Sequence, residues 1–173
     1  MEGVLEILKY TVPALIVFLT AFLVFRTMIK NDEQKRNMEL NLENQKTILP
    51  LRLQAYERIT MLLERISPES LIMRMNKPNM TSQQLQNELI STVRAEFDHN
   101  LSQQVYISHE AWEMVKKARA NVIQLINTAS DQIKPDASSL TLSKKILEII
   151  MEHKVTAVSS ALSFIKKEVQ ELY

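Results

Sequence analysis

Glycine occurs once, at Gly3, and cysteine not at all. A phosphate-cradling loop, a dinucleotide turn or a nucleophile elbow each needs glycine where the backbone enters positive φ or approaches a ligand closely, so motifs of those kinds are excluded. Without cysteine there is no thiolate zinc site, iron–sulfur ligation, disulfide or thiol nucleophile, although the compartment stays open, since cysteine-free chains occur in all of them. An excess of one charge is missing too: 21 basic against 20 acidic residues give a net charge of +1. A nucleic-acid binder concentrates positive charge on one face to displace counterions. The densest basic clusters, Lys116-Lys117-Arg119 and Lys144-Lys145, lie in amphipathic helical patterns whose solvated face accounts for them, so nucleic acid is not an expected partner. Strand signals are equally scarce. Period-two alternation is absent, and one glycine leaves little hairpin-turn chemistry.

What the chain does have is one long apolar run. YTVPALIVFLTAFLVF, residues 10–25, carries no charge and is bounded by Lys9 and Arg26. As a helix it spans roughly 24 Å at 1.5 Å per residue, somewhat short of a ~30 Å hydrocarbon core, and snorkelling of Lys9 and Arg26 makes up the difference. The start is acidic (Glu2, Glu6) and no small-residue cleavage pair follows the run, so the expectation is a retained membrane span rather than a cleaved signal. Pro13, near its beginning, is tolerated there. Arg26, Lys30, Lys35 and Arg36 follow the run closely while Lys9 alone precedes it, which places the C-terminal part in the cytoplasm.

The remainder reads as helices. Residues 29–49 contain neither Gly nor Pro and carry a thin seam of Met38, Leu42, Gln45 and Leu49, the pattern of a helical stalk. Pro50 is expected to kink or interrupt the rod. A core-facing helix follows with Leu51, Ala55, Ile59, Leu62 and Ile66 on one face. Ser67-Pro68-Glu69 matches a helix start, and Thr81 to Gln84 the capping box of a longer helix carrying Leu85, Leu89, Val93, Phe97 and Leu101. Ser108 caps the next, whose stripe is Trp112, Val115, Arg119, Val122, Ile126, Ala129 and Ile133, ending before Pro135. Leu147, Met151, Val155, Val158, Leu162, Ile165, Val169 and Leu172 predict one long final helix. The expected fold is all-α: an anchor (1–28), a stalk (29–49) and an antiparallel bundle of about four helices (50–173).

EFDHNLSQQVYISHEAW, residues 96–112, is the richest stretch in polar chemistry. Glu96 and His99 form a Glu-x-x-His, the spacing that presents two metal ligands from one helical face, but such carboxylate sites need the motif twice, and Tyr106 and Ile150 stand where His109 and His153 would need the second acid. Ser102 near His99 lacks an oxyanion hole. No catalytic, cofactor or metal residue is therefore assigned. Wound at 100° per residue, Glu96, Asn100 and Gln104 fall inside an apolar arc, and an antiparallel hairpin turning at residues 106–108 sets residue 96 near residue 117. A partly buried Glu96–Arg119 pair supplemented by Asn100 is one expectation; another has Arg119 at the stripe edge and Ala118 in the core, and Arg58 or Arg94 are further candidates to serve Glu96.

The stretches ILPLRLQAYERITMLLERISP and EFDHNLSQQVYIS followed by AW, with the apolar run, resemble a family of small bacterial proteins with one N-terminal span, a helical cytoplasmic domain and no characterised function. The resemblance implies a bacterial source and an inner-membrane location, and carries no site residues. Together these readings point to a membrane-anchored helical interaction module, a scaffold, adaptor or accessory subunit without catalytic chemistry. Its partners are the bilayer through residues 10–25 and a protein, itself or another membrane chain, with no small-molecule substrate. The alternative is a metal- or small-ligand-binding bundle centred on Glu96, His99 and His109.

Overall fold

The computed structural model describes residues 2–152 and 156–172, with side chains from residue 15 onward except those of 37, 40, 41, 44 and 45. The elements are α1 (Glu2–Ile66), α2 (Pro68–Met75), α3 (Ser82–His99), a 3₁₀ helix (Leu101–Val105), α4 (His109–Ser130), α5 (Ser139–Glu152) and α6 (Ala157–Gln170). Among the described residues there is no strand, and the protein is all-α. It divides into two compact units, Met1–Leu49 and Pro50–Tyr173.

In the first unit the described backbone is α1 alone. Among the described residues no helix is long and apolar enough to cross a membrane. The expected span over residues 10–25 is thus not matched: its described side chains begin at Leu15, and the eleven residues from there to Phe25 reach only about 17 Å along a helix. The side chains of 10–14 lie outside the described residues. Pro50 does not interrupt α1, which is helical from residue 41 through Ile66. A proline forfeits its own bond to the carbonyl four residues back, and the bonds on either side hold the helix together.

In the second unit the helix starts follow local chemistry. Thr81 accepts from the Gln84 amide while Gln84 Oε1 accepts from the Thr81 amide at 3.0 Å, a complete capping box. Ser108 caps α4 through the Ala111 amide at 3.0 Å. Ser67 occupies the cap of α2, but its hydroxyl bonds nothing there, and Pro68 at the first helical position serves instead. Asn79 takes φ 65° in the turn before α3, a left-handed conformation that asparagine tolerates.

The predicted single final helix is two. Thr156 accepts from the Ser159 amide at 3.1 Å and Ser159 Oγ accepts from the Thr156 amide at 3.1 Å, so α6 has its own capped start. The continuous stripe hid this break, because α5 buries Leu142 and Ile146 rather than Leu147 and Met151, both exposed, while α6 buries Val158, Ala161 and Ile165. Val155 falls outside the described residues.

One aliphatic core joins the helices of this unit. Its fully buried members include Ile59, Leu62, Leu63 and Ile66 from α1, Leu71, Leu85, Leu89, Ile126, Leu142, Ile146 and Ile165. Each such side chain stabilises the fold by roughly 1.5–3 kcal/mol relative to exposure. α3 and α4 are antiparallel: Gln86 Nε2 donates to Asn127 Oδ1 at 3.0 Å and Ser130 Oγ to Gln86 Oε1 at 2.9 Å, while at the other end Phe97 stacks on Trp112 with centroids 5.1 Å apart. α5 packs on both, and α6 on α4. The α2–α3 and α4–α5 connections are stitched by Ser82 N–H to the Ala137 carbonyl (2.7 Å) and Ser139 N–H to the Met80 carbonyl (3.0 Å). Ser139 Oγ also donates to Asn76 Oδ1 at 2.7 Å, satisfying polar groups beneath these loops.

Thr81→Ala removes one half of the capping box and should cost about 1 kcal/mol. Urea unfolding should show a lower midpoint with an unaltered slope; an unmoved midpoint contradicts the assigned role.

Candidate functional site

Glu96 sits in the last turn of α3, where the chain leaves the apolar arc, and is largely withdrawn from solvent. Two guanidinium groups reach it from neighbouring helices. Arg65, at the end of α1, donates through Nε at 2.7 Å to Glu96 Oε1, with Nη2 at 2.5 Å from the same oxygen. Arg74, at the end of α2, stands 3.6 Å from that oxygen and donates through Nη2 to the Arg65 carbonyl at 2.6 Å. The hydrogen bond to Glu96, then its charge, raises the Arg65 pKa above the ordinary guanidinium value. Asn100, buried, donates through Nδ2 to the Glu96 carbonyl at 2.9 Å. Arg58, Met61, Leu62, Arg65, Glu96, His99 and Asn100 line a cleft between α1 and α3.

Glu96 and Arg119 therefore do not pair. The hairpin register places them near each other, but the Arg119 guanidinium lies 4.3 Å from the centroid of the Phe97 ring. Ala118 takes the core position beside it and is fully buried. The Arg119 Nε is buried without a hydrogen-bond partner. Gln104, predicted inside the arc, is exposed, because α3 ends at His99 and the 3₁₀ turn rotates the chain.

The three residues of the ligand-binding alternative are not assembled. Glu96 is occupied by two arginines, His99 is exposed, and His109 is exposed at the start of α4, 3.8 Å from Glu113. Glu113 is itself held at 2.5 Å by Lys116, and that hydrogen bond brings its pKa below the usual carboxylate value. Among the described residues no group of three or more His, Asp or Glu converges as a metal-binding set.

Residues 2–172 match the model of a family of unknown function, DUF7935. The chain belongs to this family. No curated protein and no solved structure matches it.

A second polar cluster in this family member escaped sequence reasoning. Tyr56, buried on α1, donates to Glu168 Oε1 of α6 at 2.8 Å, and Glu168 Oε2 is buried without a partner. Arg52, one turn earlier, donates through Nε to the Tyr106 carbonyl at 3.3 Å. Burial first, and the Glu168 hydrogen bond second, push the Tyr56 phenol above its ordinary value of 10.0, against the opposing effect of Arg52. The only sequence signal was Tyr56 beside Ala55 in the core stripe, since the pairing joins residues 112 positions apart.

Three outcomes follow from these contacts. Tyr56→Phe leaves both Glu168 oxygens without the phenol and should destabilise by about 1–3 kcal/mol. A phenol with a raised folded pKa contributes stability that is complete below about pH 10 and is lost as pH rises through the folded value. Urea midpoints between pH 9 and 11.5 should thus fall in the native protein and less steeply in Tyr56→Phe; parallel profiles contradict this. Arg119→Met keeps an apolar contact on Phe97 and removes an unpaired buried donor, so its melting temperature should equal or exceed the native one. A marked drop would restore a pairing role to Arg119.

Proposed function

We propose that this protein is a membrane-anchored helical interaction module, holding a protein partner at a bilayer without catalytic chemistry of its own. The observation that carries this reading is the surface of α1 from Leu15 to Phe25. Leu15, Ile16, Val17, Phe18, Leu19, Phe22, Leu23, Val24 and Phe25 are all exposed, and together they cover every side of the helix. A helix apolar on one stripe suits a coiled-coil partner, whereas one apolar all round suits a hydrocarbon solvent.

Thr20 within the run and Thr27 just beyond Arg26 support the same reading. Thr20 Oγ1 donates to the Val17 carbonyl at 2.9 Å, and Thr27 Oγ1 to the Leu23 carbonyl at 2.7 Å, so neither hydroxyl presents an unmet donor to lipid. The uncharged residues 10–14 extend the run in sequence to sixteen, and Lys9 and Arg26 snorkel at its ends. Arg26, Lys30, Lys35 and Arg36 favour a cytoplasmic C-terminal domain at a bacterial inner membrane. The helical domain then supplies the binding surface.

Alkaline carbonate extraction tests the anchor. The full chain should remain in the membrane pellet, and a variant lacking residues 10–25 should move to the supernatant while keeping its helical circular dichroism. Release of the full chain contradicts the proposal.

A further inference from the structure

The part of α1 inside the helical domain has two faces. Ala55, Tyr56, Ile59, Leu62, Leu63 and Ile66 are buried in the core. On the outer side Leu51, Gln54, Arg58, Met61 and Arg65 follow one another at spacings of three, four, three and four, all of them exposed. This is the repeat of a coiled-coil seam, with a leucine and a methionine left in solvent, Leu51 at 45% and Met61 at 54% exposure. The acids of the same helix, Glu57 and Glu64, flank the stripe on its Met61 side, roughly 80–100° round from its centre line.

We infer that this stripe docks an acidic amphipathic helix of a different protein chain, which deepens the interaction-module reading and rests on it. Three observations select that occupant. Along the stripe itself positive charge is in excess: none of its five positions is acidic, Arg58 makes no ion pair among the described residues, and Arg65 shares the single carboxylate of Glu96 with Arg74. The guanidinium groups of Arg65 and Arg74 are already held by Glu96 and by the Arg65 carbonyl, so an incoming carboxylate meets a partly preorganised set. The apolar members are Leu51 and Met61; a flexible thioether among arginines is the composition of binding surfaces rather than of solvated ones. A second copy fits poorly, because either parallel in-register pairing or antiparallel pairing centred on Arg58 sets Arg58 against itself.

Site-specific photo-crosslinking in the full-length, membrane-embedded protein tests this. A benzophenone side chain is placed at residue 61 and, separately, at the exposed residue 120 on the outer face of α4. The inference expects an adduct at 61 to a helical segment of another chain rich in Asp and Glu, reduced at least about tenfold by Arg58→Glu and regained when the acids of that segment are changed to lysine. Arg58 is exposed, and unchanged circular dichroism of the variant separates lost docking from lost folding. An adduct to lipid or to a second copy, a protein adduct indifferent to Arg58→Glu, or adducts at 120 but none at 61, would each overturn the stripe as the docking face. Absence of protein adducts at both positions would overturn the interaction-module reading itself.

Discussion

The helical period of α1 between Leu51 and Ile66 governs the helical domain of this protein. A turn of 3.6 residues sorts these side chains into an inner set that the core encloses and an outer set that it cannot reach. Tyr56 on the inner set bonds Glu168 of α6, and Arg65, at the margin, bonds Glu96 of α3, so one stretch of helix fixes the placement of two others. The same geometry leaves Arg58 and Met61 facing solvent. Stability and the proposed recognition thus come from opposite sides of the same residues.

Local chemistry was legible wherever the cause was local. The Thr81–Gln84 box and the Ser108 cap appear where the sequence places them, and Val115, Val122, Ile126 and Ala129 are buried along α4 as their spacing predicts. The hairpin register was legible too, because turn position and helix rise alone set residue 96 near residue 117, and Arg119 does lie within a turn of that level, over Phe97. Reading failed where two signals overlapped. At Thr156 an unbroken apolar stripe concealed a helix start, and at Pro50 a strong breaker was outweighed by helical bonds on both sides. Leu51 looked like the first rung of a core stripe, but the core takes Tyr56 and Leu63 instead.

The charged site was half visible. Glu96 and Asn100 stood out as polar residues inside an apolar arc, and both are withdrawn from solvent. Their partners did not stand out, because Arg65 and Arg74 come from helices whose packing on α3 no local pattern encodes. Arg119 shows the competing option: with a phenyl ring in range and other arginines on Glu96, its guanidinium lies on the ring. A buried acid chooses among cations by tertiary geometry, and sequence proximity along a hairpin is only one contribution.

Residues 15–25 and residues 51–66 of α1 make opposite demands on solvent, the first apolar on every side and the second on one side only. Because the chain has no cysteine, single cysteines can report this directly. The decisive measurement is maleimide labelling of one-cysteine variants at each position from 15 to 25 and from 51 to 66, with the purified protein in lipid vesicles. The account predicts no labelling at any position of the first set, and in the second a helical rhythm with 51, 54, 58, 61 and 65 reactive and 55, 56, 59, 62, 63 and 66 protected. Labelling of residues 15–25 along one helical face would mean that water, not lipid, surrounds that segment, and would contradict the central claim.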